Sequence, residues 1–293
     1  MNLSDAQEFC RQYTRQHYEN FTVASFLLPR QVRQDFYPVY SFCRWADDLG
    51  DESPDNQTAL TALDDWNSQL DDCYQDRAEH PIFIALKPIV EEYSIPKSLF
   101  ADLISAFRLD QTQKEYDSRE DLLDYCKLSA NPVGRIVLHL AQTTDEESLA
   151  LSDKICTGLQ LANHWQDVAR DKRRMTSNGK SDSRRYVPLS DMISCGYSLE
   201  EFQNEVYNPA FIEMMSRLCD WADSYFTEGS PLVSRVPLSF KTDIKLFVMG
   251  GQKIVEAIRR VDFNVWSNRP TISRWNKFRL LIKALTGFKK TGF

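Results

Sequence analysis

The feature that most constrains this chain is a pair of carboxylate clusters written at helical spacing. The first is Arg44-Trp45-Ala46-Asp47-Asp48-Leu49-Gly50-Asp51-Glu52, and the second is Asn163-His164-Trp165-Gln166-Asp167-Val168-Ala169-Arg170-Asp171. Asp47 and Asp51 are four apart, as are Asn163, Asp167 and Asp171. On a helix such residues share one face, about 6 Å apart along the axis. Crowding like charges in this way is unfavourable unless cations sit between them. Oxygen donors without Cys or His select Mg²⁺, with Mn²⁺ as the alternative, and Mg²⁺ commonly bridges carboxylates to substrate phosphates. Two facing acidic helices therefore imply a cage that holds a diphosphate through metal ions.

The rest of the chain reads as helix. Ten Gly and twelve Pro in 293 residues are few, which favours long uninterrupted helices over a sandwich or barrel. Periodicity places helices over 4–18, capped by Ser4, then 31–51 after a break near Leu28-Pro29-Arg30, and 56–75. His80-Pro81 and Ile95-Pro96 open the next two. A long helix over 119–142 is interrupted at Asn131-Pro132, and 147–172 carries the second cluster. Met175–Arg185 is a polar loop, and helices follow near 198–227, 237–261 and 272–285. The strand signal is weak and no linker separates domains. The expected fold class is all-α, one domain over residues 1–293.

Composition excludes several functions. The net charge is −7 and the pI about 5.3, so nucleic acid is not an expected partner. The seven cysteines are odd in number and form no C-x-x-C, which points to free thiols in a reducing cytoplasm. No signal peptide and no membrane-spanning run is expected. The four histidines fit no zinc pattern. G-x-S-x-G, Walker and G-x-G-x-x-G motifs are missing, so no nicotinamide cofactor is expected.

Three further groups carry chemistry. Arg44, one turn before Asp48, can neutralise phosphate oxygens bidentately or pair with its own helix. Arg170, Lys172, Arg173 and Arg174 follow the second cluster, either as a solvated basic run or as cations that close over a leaving diphosphate. Arg184, Arg185 and Tyr186 end the polar loop; Arg185 and Tyr186, at the fixed exit before Val187-Pro188, are the expected diphosphate contacts, with Arg184 as the alternative to Arg185. In Tyr125-Cys126-Lys127-Leu128-Ser129-Ala130-Asn131-Pro132-Val133-Gly134-Arg135, Pro132 and Gly134 predict a kinked or opened helix. Such a break either is a packing kink or offers carbonyls and room to an apolar cation.

Taken together, these residues closely resemble the squalene and phytoene synthase family, from about His17 to Arg279. Val39-Tyr40-Ser41-Phe42-Cys43-Arg44 with Asp47–Asp51 is similar to its first motif, and Gln160–Asp171 to its second. Tyr125-Cys126 and Val133-Gly134 match its central pocket helix. Within the family, His17–Phe21, Ser129–Arg135 and Arg269–Trp275 are most similar to the hopanoid-pathway hydroxysqualene synthase branch.

The resemblance implies an isoprenoid-synthase helical bundle around a central apolar cavity. It implies Mg²⁺ held by Asp47, Asp51, Asn163, Asp167 and Asp171. The catalytic carboxylates would be Asp47, Asp48, Asp51, Asp167 and Asp171, and Arg44, Arg185 and Tyr186 would meet the diphosphate. Phe21, Tyr40, Tyr125, Val133, Gly134, Gln160 and Leu161 would line the pocket. The expected reaction converts presqualene diphosphate to hydroxysqualene with loss of diphosphate. The alternatives are head-to-head condensation of two prenyl diphosphates such as farnesyl diphosphate, or a non-catalytic assembly factor on the same fold. Tyr18, Asn20 and Ile254 depart from the pattern of squalene and dehydrosqualene synthases and weaken the case for condensation.

Other squalene-pathway enzymes are expected partners. The basic, apolar C-terminal block predicts peripheral contact with the inner face of the cytoplasmic membrane. It interleaves Arg274, Lys277, Arg279, Lys283, Lys289 and Lys290 with Trp275, Phe278, Leu281, Ile282, Leu285 and Phe288.

Overall fold

The computed structural model describes residues 1–17, 30–175, 179 and 181–271, with the side chains of 30 and 31 excepted. Tyr18, Asn20, Phe21, the break at Leu28-Pro29 and the C-terminal block from 272 onward lie outside the described residues.

Thirteen helices account for the regular structure among the described residues. They are α1 (Leu3–Gln16), α2 (Arg30–Asp51), α3 (Asn56–Tyr74), α4 (Pro81–Glu92), α5 (Lys97–Thr112), α6 (Arg119–Ser129), α7 (Asn131–Leu140), α8 (Glu146–Lys172), α9 (Leu189–Ser194), α10 (Leu199–Gln203), α11 (Pro209–Gly229), α12 (Leu232–Arg235) and α13 (Leu238–Arg260). The only β pairing among them is two isolated bridges, Glu115 with Arg185 and Met175 with Ser181. None of these helices is long and apolar enough to cross a membrane.

Most predicted helix starts are present, and the corrections are local. Asn2, not Ser4, caps α1, its side chain accepting from the Asp5 N–H at 2.9 Å. The expected interruption of 119–142 at Asn131-Pro132 is present: two helices meet at Ala130, with Pro132 in the first turn of α7, where its missing N–H costs nothing. The stretch 198–227 is also two helices. Ser198 and Glu201 form a capping box that starts α10, and Asn208 caps α11 with Pro209 in its first turn. The helix α2 runs through Pro38, held by burial of Phe36, Val39, Phe42 and Ala46. All seven cysteines are free.

The described residues form two compact units. One takes Met1–Gln113 and Lys127–Leu149, the other Lys114–Cys126 and Ala150–Phe293. In the first unit α2 packs against α1, α3, α4 and α5. Its core is aromatic: the Phe42 ring lies 5.7 Å from Trp66, 5.8 Å from Phe83 and 4.9 Å from Phe100. Gly50 lets the end of α2 pass close to α5; a Cβ there would stand 3.1 Å from the Gln111 amide.

In the second unit, glycines set the packing of α8, α11 and α13. The fully buried Phe226 ring of α11 fits between Gly158 of α8 and Gly251 of α13. A Cβ at 158 would come within 3.0 Å of that ring, and one at 251 within 2.1 Å. Gly229 likewise admits Ile155 of α8, which a Cβ would meet at 2.6 Å. Trp165 and Trp221 add a ring contact at 6.2 Å. These close approaches hold the middle of α8 in place, one to three turns before its carboxylates.

Candidate active site

The first acidic cluster sits on the last two turns of α2. Arg44 bonds Asp47 at 2.9 Å and also pairs with Asp48, so the cation predicted to meet phosphate is held by its own helix. Asp48 also accepts from the Tyr13 hydroxyl of α1 at 2.6 Å. These bonds make Asp48 the anchor of the cluster. Burial first, and then the Asp51 charge, push the Asp47 carboxyl up to about 6. Tyr40 lies half-buried one turn before Arg44, and its hydroxyl donates to the His17 carbonyl at 2.9 Å.

The second cluster sits on the last three turns of α8. Asn163 is exposed and Asp167 and Asp171 are partly so, while Leu161, Ala162, Trp165 and Val168 face the core. The spacing thus separates a polar stripe from an apolar one, as expected of an amphipathic helix. Burial, and then the Asp167 charge, raise the Asp171 carboxyl to about 7, opposed by Arg184, Arg170 and Arg174. Asp167 is clasped by Arg269, whose Nη2 lies 2.9 Å from Oδ2 and whose Nε donates to Oδ1.

The loop that follows α8 returns to this cluster. The Arg184 N–H donates to the Asp171 carbonyl at 2.9 Å, and the buried Arg184 guanidinium reaches the Tyr186 hydroxyl at 3.3 Å and Asp182 at 3.4 Å. Arg185 points elsewhere. Its guanidinium, also buried, donates to the carbonyls of Tyr116 at 2.8 Å and Val187 at 2.6 Å and to Glu115 at 3.2 Å. The sequence pattern favours Arg185 for the diphosphate; the geometry locks Arg185 into the loop and sets Arg184 beside Asp171.

Tyr186 stacks on His164 at 3.7 Å, with Tyr125 5.9 Å from Tyr186 and Tyr116 5.6 Å from it. Burial, with Arg184 nearby, pushes His164 down to about 3, so this imidazole is neutral. Two predicted site residues, Tyr125 and Tyr186, are therefore brought together. Gln160 lies on α8 one turn before Asn163 and is half-buried, and Leu161 is fully buried. Val133 and Gly134 are half-buried in the first turn of α7.

The basic run after the cluster is engaged in structure. Lys172 and Arg173 bind Glu205 at 3.1 and 2.8 Å, and Arg174 binds Asp182 at 2.9 Å. The residue that sequence reasoning missed here is Arg269, along with Tyr13 in the first cluster. No local pattern could reveal either, because their partners are 102 and 35 positions away.

The donor set fits a divalent cation. It is all oxygen, and each cluster carries a carboxyl raised by burial and by a neighbouring acid, which a cation would relieve. Among the described residues no three His, Cys, Asp or Glu side chains are gathered tightly enough to enclose an ion alone.

Comparison with known proteins agrees with this composition of helices and acids. The squalene/phytoene synthase family profile matches residues 14–276. The chain belongs to that family and is an enzyme of prenyl diphosphates with the all-α isoprenoid-synthase fold. A hydroxysqualene synthase of Rhodopseudomonas palustris is 32% identical over 74% of this chain and 71% of its own length. A phytoene synthase of Arthrospira platensis is 25% identical over 95% of this chain and 92% of its own. The crystal structure of squalene synthase HpnC from Alicyclobacillus acidocaldarius superposes with a TM-score of 0.82 at 39% identity, covering 89% of this chain and 96% of that one.

Proposed function

We propose that this enzyme converts presqualene diphosphate to hydroxysqualene, releasing diphosphate. The observation that carries the reading is a stripe of carboxylates on each of two helices, Asp47 and Asp51 on α2 and Asp167 and Asp171 on α8, in which burial and then the neighbouring acid raise one carboxyl of each pair. The product assignment is supported by the higher identity to a hydroxysqualene synthase, 32%, than to a phytoene synthase, 25%.

Asp47, Asp51, Asn163, Asp167 and Asp171 would hold Mg²⁺ or Mn²⁺. Such a cation supplies Lewis-acid stabilisation of the departing diphosphate. Arg44 and Arg184 oppose the upward shift of Asp47 and Asp171 and would add positive charge where the leaving group gathers negative charge. Cleavage of the carbon–oxygen bond leaves an allylic or cyclopropylcarbinyl cation on the C30 chain. Tyr125 would offer aromatic surface to positive charge on an apolar chain, Tyr186 would hold its place in the ring cluster by stacking on His164, and neutral His164 would add no competing charge. Water then bonds to carbon and loses a proton to solvent, so no reductant enters the balance. The C-terminal block would deliver the insoluble product to a lipid surface.

The second reading is head-to-head condensation of two farnesyl-type diphosphates. It is favoured by the near full-length coverage of the phytoene synthase, 95% of this chain. Purified protein incubated with presqualene diphosphate, Mg²⁺ and ¹⁸O-labelled water, without NADPH, decides between them by mass spectrometry. Hydroxysqualene carrying ¹⁸O is the expected product. No turnover of presqualene diphosphate, together with a C30 or C40 hydrocarbon or presqualene diphosphate itself from linear prenyl diphosphates, would establish the condensation reading instead.

A further inference from the structure

The second cluster already contains a cation of the protein's own. Arg269 follows α13 and its guanidinium meets Asp167 fork to fork, Nε to Oδ1 and Nη2 to Oδ2. The same Nη2 lies 3.1 Å from Gln166 Oε1, and the Gln166 amide nitrogen donates to the Pro270 carbonyl. Both ends of one buried amide therefore hold the 269–270 segment against α8.

We propose that Arg269 is a built-in placeholder for the metal: it occupies Asp167 in the resting enzyme and withdraws when a divalent cation binds there. This rests on the reading of Asp167 as a metal ligand. Both carboxylate oxygens of Asp167 accept from Arg269, so a cation coordinating either one shares that oxygen with the guanidinium and meets its positive charge at close range. The Arg269 side chain is 46% exposed and the Asp167 side chain 15%, so the guanidinium has solvent to withdraw into. The exchange also has a structural consequence. Once the fork opens, the 269–270 segment loses its attachment to Asp167 and keeps that to Gln166, so metal binding loosens the chain that crosses the second motif. The placeholder adds to the charge that Arg170 and Arg184 already set against the two acids in the absence of metal, at the expense of metal affinity.

The test is Mn²⁺ titration of the full chain without substrate, read by the electron paramagnetic resonance of free Mn²⁺. An Asp47→Asn, Asp51→Asn background silences the first cluster. In that background Arg269→Gln should bind Mn²⁺ about five- to tenfold more tightly. Arg269→Lys, a point charge without the fork, should fall between, and Asp167→Asn should abolish the site. Amide hydrogen exchange of a peptide spanning 264–271 should rise on adding Mn²⁺ to the parent and not change in Arg269→Gln. Equal or weaker binding by both Arg269 variants, with Asp167→Asn still abolishing the site, would overturn the placeholder and leave the metal reading standing. No Mn²⁺ bound by any variant, even with inorganic diphosphate added, would remove both.

Discussion

In the first acidic cluster the balancing cation is local: Arg44 lies on the same helix, three and four residues before Asp47 and Asp48. In the second, Arg170 on the same helix stands 4.0 Å from Asp167, but the cation that grips both carboxylate oxygens is Arg269, 102 positions further along and on a different stretch of chain. A cation on the same helix keeps its Cα within a turn of its acids whatever else binds. A cation on a distant segment can move away with that segment. The difference teaches that two motifs of similar spelling need not be equivalent. The first is partly neutralised from its own helix, and the second also from a remote segment that, on the placeholder proposal, is removable.

The comparison is broken most directly by removing each cluster's acid in turn. Asp47→Ala and Asp171→Ala should each lower turnover of a prenyl diphosphate by about a thousandfold or more, as should EDTA on the parent enzyme. Diphosphate release measures this, and circular dichroism should show unchanged helicity. If only one of the two variants loses activity, the clusters do not act on one substrate.

A smaller effect should separate the two loop arginines of the second unit. Arg185→Gln removes a buried guanidinium that serves two carbonyls and an acid, which should cost about 2–4 kcal/mol in urea unfolding. The folded fraction should retain near-normal turnover. Arg184→Gln should instead lower turnover about ten- to a hundredfold, because Asp171 loses the strongest of the three cations that oppose its protonation. The reverse pattern would return the diphosphate role to Arg185. Smallest of all, Tyr13→Phe should cost about 1 kcal/mol and change turnover less than threefold, since Arg44 still holds Asp48. A large loss of activity would show that the first cluster also depends on a distant partner.

Much of this arrangement is legible in the sequence because helical acids announce themselves by spacing. Asp47, Asp51, Asp167 and Asp171 need only the four-residue repeat, and the apolar stripe of Leu161, Ala162, Trp165 and Val168 follows from the same period. The helix starts at Pro81 and Pro96–Lys97 are equally clear. The split near Asn208-Pro209 is spelled out by a capping residue before a proline, yet it is hidden because apolar residues continue on both sides of it. The choice between Arg184 and Arg185 depends on which way each side chain leaves an irregular loop, and adjacent residues there carry no periodic signal. Arg269 is visible as part of a motif string but not as a partner of Asp167, because nothing in a one-dimensional pattern specifies which remote segment returns to a helix.

The Phe226 slot bears on how this sequence can change over generations. With the ring between Gly158 and Gly251, an alanine at 251 would place its methyl carbon 2.1 Å from the ring while a fully buried Phe226 has nowhere to go. Drift at 251 must therefore wait for a smaller residue at 226; the opposite order passes through an unfit intermediate. At the adjacent Gly250 an added methyl would meet no described atom within 4 Å. That position is under no such rule and can become alanine in any order, gaining helix propensity. Two neighbouring glycines on one helix are thus open to different histories, and among descendants of this chain position 250 should vary independently while 251 and 226 change as a pair.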